Sequence, residues 1–142
     1  VDAHAVIDAS LALIRPVVDR NGVVVETSGP AVSLRADRRR LQQVIINLVA
    51  NAVRFSPEGS SVRVHTEAGE GSGIIHVVDE GPGIPEKARL RIFDPYYTTK
   101  ADGRGLGLAV CHRIVVAHGG LLHLESDPGR GTTVHVRLEA HD

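Results

Sequence analysis

The strongest periodic pattern in the chain is an amphipathic helix over residues 38–55. Its apolar positions recur at the i, i+3, i+4, i+7 spacing of one helical face: Leu41, Val44, Ile45, Leu48 and Ala52. Asp37 precedes the pattern at the position of an N-cap, and the Ser-Pro-Glu-Gly sequence of residues 56–59 ends it. The pattern therefore predicts one long helix with a single buried face.

Shorter apolar segments on both sides of this helix predict a sheet and further helices. Alternating or β-branched residues predict strands at 23–27, 32–35, 61–68, 74–78, 121–126 and 132–138. Helices are predicted at 86–92, at 108–117 and at 6–18, where Pro16 kinks the helix or ends it early. Strands and helices in this succession indicate an α/β fold with the helices on one face of the sheet.

Composition and charge exclude several classes of protein. A chain of 142 residues forms one domain, and its 16 Lys and Arg against 17 Asp and Glu give a net charge of −1. That balance argues against a nucleic-acid-binding domain, which carries a basic excess. The single cysteine excludes an intramolecular disulfide and a cysteine-based zinc site, and it fits a reducing compartment. No apolar run is long enough to span a membrane, so we expect no membrane contact by this segment.

Three polar residues lie along one edge of the long helix. At about 100° per residue, Asn47, Asn51 and Arg54 fall within an arc of about 60° beside the apolar stripe. Because asparagine is a poor helix-interior residue, two at i and i+4 suggest oxygen ligands for a hard cation, with Arg54 as a phosphate partner. A hydrogen-bonded pair on a solvated helix edge explains the same spacing, so the helix alone leaves both interpretations open.

An acidic residue follows the predicted strand at 74–78. This strand leads directly into Asp79, and Gly81 and Gly83 come next. An aspartate at a strand end can accept a hydrogen bond from an exocyclic amine, and the glycines let a flat ring approach the backbone. A plain turn uses the same residue types, which leaves a structural role possible.

Two neighbouring segments are suited to phosphate. Residues 103–108, Gly-Arg-Gly-Leu-Gly-Leu, open a helix and would present free N–H groups to phosphate oxygens. Their glycine spacing matches neither the dinucleotide-binding fingerprint nor the P-loop. The alternative to a phosphate-binding segment is a mobile linker followed by the start of a helix. Residues 93–100 combine an aromatic cluster with a basic tail, which indicates a hinged lid with Lys100 in reach of a terminal phosphate. A surface loop with a buried Phe explains that stretch equally.

Taken together and in order, these segments resemble the ATP-binding catalytic domain of bacterial sensor histidine kinases. That domain belongs to a superfamily shared with gyrase, the ninety-kilodalton heat-shock chaperones and MutL-type ATPases. RLQQVIINLVANAVRFSPEG resembles its asparagine box, DEGPGI and GRGLGL its two glycine boxes, IFDPYYTTK its phenylalanine box and GRGTTVHVRL its closing strand. The resemblance implies a two-layer α/β sandwich, with an open mixed sheet of about five strands, three helices on one face and a flexible ATP lid.

The resemblance also implies a role for each matched residue. Asn51 would ligate Mg²⁺ on the triphosphate with Asn47 beside it, and Arg54 stands where the family usually has a phosphate-binding lysine. Asp79 would bond the adenine amino group and Gly83 would support it.

Further nucleotide contacts are implied behind the base and around the phosphates. Either Thr132 or Thr133 would lie behind the base, and the amides of Gly105 and Gly107 would cover the phosphates under a lid from about residue 95 to 104. The remaining implied ATP contacts are Phe55, Gly81, Ile84, Tyr97, Thr98, Thr99, Lys100, Arg104, Leu106 and Leu108.

One position separates the branches of this superfamily. ATP-hydrolysing members keep a glutamate four residues before the Mg-binding asparagine, as a general base for water. Here that position is Asn47, which cannot take a proton. The resemblance therefore implies a protein-histidine kinase that binds Mg·ATP and donates the γ-phosphoryl group to a histidine on a separate dimerisation domain. A degenerate nucleotide-sensing or partner-docking module without phosphotransfer is the alternative, and a self-contained ATPase fits less well.

The phosphate acceptor is absent from the sequence. None of the eight histidines resembles the acceptor motif, and His112 and His118 are expected to be structural. Because the chain also lacks methionine, we expect residues 1–142 to be one domain cut from a longer protein, with the acceptor and sensor elsewhere. We expect it to be cytoplasmic and monomeric in isolation, with the dimerisation domain and a response regulator as partners. The lid sequence and the AHGG helix end look most like the oxygen- and nitrogen-sensing kinases.

Overall fold

A five-stranded mixed sheet forms one layer of the fold. The computed structural model describes residues 1–81, 105–127 and 131–141. The strands β1 (Val24–Ser28), β2 (Ser61–Gly69), β3 (Ser72–Asp79), β4 (Leu121–Asp127) and β5 (Gly131–Glu139) lie in the order β1-β2-β3-β5-β4. β1 pairs with β2 in parallel, and every other pair is antiparallel. The mixed sheet and five of the six strands expected from the pattern are confirmed.

Helices form the second layer. In the described residues they are α1 (Ala3–Leu13), α2 (Arg15–Asn21), α3 (Arg38–Phe55) and α4 (Gly105–Ala117). The helix expected at 6–18 is split in two, because Pro16 occupies the first turn of α2, where a missing N–H does no harm. None of these helices has the length and hydropathy of a membrane span.

The boundaries of α3 are those that the pattern predicts. The Asp37 carboxylate caps the helix by accepting the Arg40 backbone N–H at 3.0 Å, and the helix ends at Phe55. That hydrogen bond also lowers the pKa of the Asp37 carboxyl. α4 begins three residues earlier than the hydrophobic pattern indicates, because Gly105 and Gly107 already have helical backbone.

The core lies between the helices and one face of the sheet. Alternate residues of the central strands point into it, such as Val62 and Val64 of β2 and Ile75 and Val77 of β3, all at most 2% exposed. The opposite face of the sheet carries the intervening side chains. The core is aliphatic, as a chain with two Phe, two Tyr and no Trp requires.

α3 and α4 pack side by side and run antiparallel. The Cys111 thiol of α4 contacts the Val44 carbonyl oxygen at 3.7 Å. Just after the end of α4, His118 Nε2 accepts the Asp37 backbone N–H at 3.2 Å, and His118 Nδ1 donates to the Ile114 carbonyl at 2.8 Å. His118 therefore ties the end of α4 to the start of α3, which confirms its structural role.

The segment at residues 32–35 does not form the strand that its sequence indicates. It makes single bridges instead, from Ser33 to Asp2 and from Leu34 to Ala140. The Val1 ammonium donates to the Leu34 carbonyl at 2.7 Å, and the His141 backbone N–H donates to the Ser33 carbonyl at 2.9 Å. Because two different parts of the chain flank the segment, no ladder extends. The helix expected at 86–92 and the lid at 95–104 lie outside the described residues, as does most of the turn at 127–129.

Candidate functional site

Asp79 sits half-buried at the last position of β3, where the sheet ends. Its Oδ1 accepts the Gly81 backbone N–H at 2.8 Å, and the Thr132 backbone N–H of β5 also donates to the carboxylate. Burial raises the pKa of the Asp79 carboxyl, and the two backbone hydrogen bonds oppose that rise. The carboxylate is thus held in one orientation and has lone pairs left for a ligand that donates a proton.

Gly81 brings the end of β3 against the end of α3. A Cβ at Gly81 would lie 2.8 Å from the Phe55 carbonyl oxygen, which is too close for a side chain, and a tight 3.0 Å from Asp79 Oδ1. Only glycine permits this approach. The Asp79 carboxylate and the last turn of α3, which carries Arg54, therefore occupy the same corner of the molecule.

Thr132 and Thr133 lie on β5 beside the same strand end. In the ladder Thr132 is opposite Asp79 and Thr133 is opposite Val78. The Thr132 hydroxyl and the buried Ser126 hydroxyl are 3.0 Å apart, which links β4 to this position. Both threonines are thus within one strand spacing of the carboxylate that the sequence singles out.

Gly131 is a residue of this corner that the sequence analysis did not identify. Its φ of 109° lies in the region that favours glycine, and a Cβ there would collide with the Asp79 carbonyl oxygen. The available signal was a glycine immediately before two threonines at the start of the final strand.

The first turn of α4 lies level with Asn51. Cys111 of α4 is beside Val44 of α3, and Gly105 lies about 9 Å nearer the start of α4 at about 1.5 Å per residue. The same length along the antiparallel α3 leads from Val44 to the turn of residues 50–53, which holds Asn51. The N–H groups at the start of α4, which have no acceptor within the helix, thus lie at the level of this asparagine, which is half-buried at the edge of the core.

Asn47 is one turn further from this corner and points toward α4. Its amide donates to the Cys111 thiol, a contact that lowers the thiol pKa, while burial acts in the opposite direction and raises that pKa to about 12. The Asn47 carbonyl oxygen is not used in this bond. Cys111 itself is completely buried, and neither this contact nor Cys111 was identified from the sequence.

Some of the remaining predicted site residues lie at the start of α4, and the others lie outside the described residues. Leu108, in the first turns of α4, is partly buried against the core. Gly105, Leu106 and Gly107 have helical backbone at the start of α4. The others lie outside the described residues and stay predictions: Gly83, Ile84, Tyr97, Thr98, Thr99, Lys100 and Arg104.

The described part of the site can recognise two kinds of chemical group. At one end, an oriented carboxylate beside a bare glycine backbone suits a flat ring with an exocyclic amine. On the side of α3 and α4, the basic Arg54 and the N-terminus of α4 suit a polyphosphate.

Comparison with known proteins places this site in a family. The family described as "Histidine kinase-, DNA gyrase B-, and HSP90-like ATPase" matches residues 36–142. Sporulation kinase A of Bacillus subtilis is 39% identical over 127 residues, which are 88% of this chain and 21% of that kinase. The chain thus spans 21% of the length of that relative.

Two solved structures have the same fold over nearly the whole chain. A mycobacterial sensor histidine kinase, MprB, superposes with a TM-score of 0.89 at 32% identity, covering 99% of this chain and 96% of that one. Full-length ShkA in complex with AMPPNP superposes with a TM-score of 0.86 at 30% identity, covering 99% of this chain and 30% of that one. The chain therefore belongs to the histidine kinase-, DNA gyrase B- and HSP90-like ATPase family, as an ATP-binding catalytic domain of the sensor histidine kinase type.

Proposed function

We propose that this domain binds Mg·ATP between α3, α4 and the end of β3 and donates the γ-phosphoryl group to a histidine on a separate dimerisation domain. The observation that carries the proposal is the corner where Asp79 and Gly81 at the end of β3 contact the last turn of α3, beside which α4 packs antiparallel. That corner pairs a group that recognises an amine with groups that attract phosphate.

The adenine end of the site is assigned to β3 and β5. Asp79 would accept the adenine amino group, Gly81 would leave room for the ring, and Thr132 or Thr133 would lie behind it. Gly83 and Ile84 complete this end in the proposal. The two backbone hydrogen bonds help this acceptor to stay ionised, since burial raises the pKa of Asp79 and they oppose that rise.

The donor set on α3 fits magnesium that arrives with a nucleotide. Asn47 and Asn51 offer neutral amide oxygens, a ligand type that Mg²⁺ accepts. In the described ranges no group of three His, Cys, Asp or Glu is arranged to hold a metal ion, so these amides would supply no negative charge. The triphosphate must supply it, which makes Mg²⁺ binding dependent on ATP.

In the transfer step, the bond between the γ-phosphorus and the β–γ bridging oxygen breaks and a bond from the acceptor imidazole nitrogen to phosphorus forms, with ADP as the leaving group. Bound Mg²⁺ would neutralise charge on the phosphate oxygens. Arg54, Lys100 and the amides of Gly105 and Gly107 orient and neutralise the same oxygens. Asn47 cannot deprotonate water, and its amide is engaged with Cys111, so the site orients ATP without activating hydrolysis.

Calorimetric titration with a non-hydrolysable ATP analogue, with and without Mg²⁺, tests the binding step. We expect saturable binding that Mg²⁺ strengthens, and negligible binding of Mg²⁺ alone. A folded domain that binds no nucleotide at millimolar concentration would favour the partner-docking module, and steady ATP turnover by the domain alone would favour an ATPase.

Asn51→Ala tests the metal assignment directly. With a supplied acceptor domain, we expect phosphotransfer to fall by about 100-fold or more, as when a group that stabilises transition-state charge is removed. Gln43→Ala, which removes an exposed amide from the same helix, should leave the rate unchanged. Normal transfer by Asn51→Ala would exclude the magnesium role.

The wider setting of the domain is also a proposal. Residues 1–142 would be one cytoplasmic domain of a longer protein and monomeric in isolation. The dimerisation domain of that protein would supply the acceptor histidine, and the phosphoryl group would pass to a response regulator. The AHGG helix end and the lid sequence support a place among the oxygen- and nitrogen-sensing kinases.

A further inference from the structure

A row of four histidines crosses the sheet on the face opposite the helices. In the strand register His65 of β2 is opposite His76 of β3, His76 is opposite His135 of β5, and His135 is opposite His123 of β4. Each belongs to the set of side chains that alternates with the buried core positions. This histidine row takes no part in the proposed kinase chemistry.

The rings of the histidine row are in mutual contact. The rings of His65 and His76 stack with centroids 4.5 Å apart, and those of His123 and His135 stack at 5.7 Å. Between them, His76 and His135 meet edge to face at 4.8 Å. His76 is the most enclosed, with 8% of its surface exposed.

Two glutamates extend the central pair into a chain of four groups. His76 Nε2 is 3.0 Å from Glu67 Oε1, and His76 Nδ1 is 2.6 Å from His135 Nδ1. On the far side, His135 Nε2 is 3.5 Å from Glu125 Oε1, and the more exposed His123 Nε2 is 3.7 Å from the same oxygen. Glu67, His76, His135 and Glu125 therefore form a line with three links between them.

Counting protons shows that two neutral rings cannot complete this line. Each of the three links requires one hydrogen, and each neutral imidazole carries only one. If His76 donates from Nε2 to Glu67, its Nδ1 must accept from the Nδ1 of His135, which leaves His135 Nε2 without a hydrogen. In the described part of the structure, His135 Nε2 is the buried side-chain nitrogen that lacks a hydrogen-bond partner.

We propose that Glu67, His76, His135 and Glu125 form a proton-binding site, which takes up one proton shared by the two rings and thereby bonds Glu125 to His135. With three hydrogens the line has no orphaned atom: Nε2 of each ring donates to a carboxylate, and one hydrogen lies between the two Nδ1 atoms. Uptake of the proton ties the edge strand β4 to β5, β3 and β2 through side chains.

The short central contact fits a proton better than a metal ion. Two imidazole nitrogens on one tetrahedral metal lie about 3.3 Å apart, because each metal–nitrogen bond is about 2.0–2.1 Å. The 2.6 Å between the Nδ1 atoms is too short for that arrangement and lies just below the usual range of about 2.7–3.2 Å for bonds donated by N–H, so a hydrogen must lie between the two nitrogens. No third ligand converges on this point among the described side chains.

The surrounding charges limit the site to one proton. His65 and His123 are stacked on the two central rings, and Arg63 also faces the row from β2, opposite Glu26 of β1. On β5, Arg137 directs its Nε to the Ser72 hydroxyl. A second proton would place two positive rings in contact, so the first uptake should be separated from any later one.

Imidazole nitrogen NMR of the ¹⁵N-labelled chain between pH 8 and 5, in the presence of EDTA, tests the proposal. At high pH we expect His76 with its hydrogen on Nε2 and His135 with its hydrogen on Nδ1. On acidification both rings should titrate with one common midpoint. A His135 with its hydrogen on Nε2 at high pH, or two independent midpoints, would refute the shared proton.

Glu125→Gln separates this site from an ordinary pair of surface histidines. Glu125 is 67% exposed, so the substitution should not disturb folding, but loss of the carboxylate should lower the common midpoint by about half a pH unit. His141→Gln, at an exposed position near the end of β5, is the control and should leave it unchanged. An unmoved midpoint in Glu125→Gln would contradict the proposal.

Zinc distinguishes the proton from a metal. With EDTA removed, one equivalent of Zn²⁺ should leave the His76 and His135 signals and the melting temperature unchanged. Stoichiometric loss of those signals together with a higher melting temperature would overturn the proton assignment in favour of a metal site.

Discussion

At the scale of single residues, Asp79 is the clearest case of a group whose chemistry opposes its burial. Its carboxyl pKa is raised mainly by burial, so the folded chain binds the proton more tightly than the unfolded chain does. The stability that follows from a raised pKa is present at low pH and is lost as the pH rises through that pKa. At neutral pH the ionised carboxylate therefore reduces the free energy of unfolding, a cost that the two backbone hydrogen bonds offset in part and that a ligand donating to the carboxylate would offset further.

Asp79→Asn should separate binding from stability. We expect ATP affinity to fall by about 10- to 100-fold, because a charged acceptor is replaced by an amide that can present its NH₂ group to the adenine amine. The free energy of unfolding should stay equal or rise, since the buried charge is removed. Calorimetry and urea denaturation measure the two effects.

Glu80→Gln is the matched control, because it removes an exposed charge one residue away. It should leave both ATP affinity and stability unchanged. Unaltered ATP affinity in Asp79→Asn would exclude the adenine role of this carboxylate.

Motifs identified residues of the site better than they identified the partners of those residues. Asp79, Gly81 and Asn51 could be singled out because their residue types in that spacing already carry a chemical meaning. The bond between Asn47 and Cys111, and the clash that only Gly131 avoids, join residues far apart in the chain. The strand register that brings four histidines into a row could not be predicted from the sequence either. Periodicity shows which residues of one strand share a face, and it does not show which residues of the neighbouring strand lie opposite them.

At the scale of elements, the start of β5 is set by Gly131. Gly131 has a φ of 109° and Gly119, after α4, has a φ of 72°, so both occupy backbone that favours glycine. They differ in surroundings, because a Cβ at Gly131 would strike the Asp79 carbonyl oxygen whereas nothing lies within 4 Å of one at Gly119.

Gly131→Ala should destabilise the domain far more than Gly119→Ala. The backbone strain alone costs about 1–2 kcal/mol at either position, and the clash at Gly131 should add about 1–3 kcal/mol. Urea denaturation of the two variants measures the difference. Equal losses would mean that the end of β3 moves aside freely, contrary to the close packing in this corner.

The elements that the pattern predicted best are those with their own local signals. α3 has an N-cap, a regular apolar face and a Pro-Gly stop, and its bounds agree with the prediction. The strand expected at residues 32–35 did not form because its alternating apolar and polar residues are flanked by two different parts of the chain, each of which makes only a single bridge. α4 begins earlier than predicted because Gly105 and Gly107 have helical backbone. Glycine has no side chain, so a hydrophobic pattern does not detect it as part of a helix.

At the scale of the whole molecule, the histidine row makes stability depend on pH across four strands. Burial, followed by the nearby His76, lowers the pKa of both His65 and His135. The unfolded chain, with ordinary histidine pKa values, therefore binds these protons more readily than the folded chain. A lowered histidine pKa thus makes the free energy of unfolding fall as the pH drops below about 7.

We expect the domain to be less stable at pH 5.5 than at pH 7.5, by about 1 kcal/mol or less for each of the two rings, because both are partly open to solvent. His135→Gln should reduce this difference, whereas His141→Gln should not. Urea denaturation at the two pH values gives the comparison. A stability that is flat or higher at pH 5.5 would show that the folded rings bind protons as well as the unfolded ones.

The pairing of residues 33 and 34 with both ends of the described chain has a consequence for how the connectivity of the fold can be changed. Since Asp2 and His141 both meet Ser33, a short peptide could join the two ends without disturbing the core. New ends could then be opened in the exposed β2–β3 turn at Glu70, at the opposite end of β3 from Asp79. The succession of elements along the chain would change, while the sheet order and the nucleotide corner would not: a circular permutant of this domain would keep its chemistry with a different beginning.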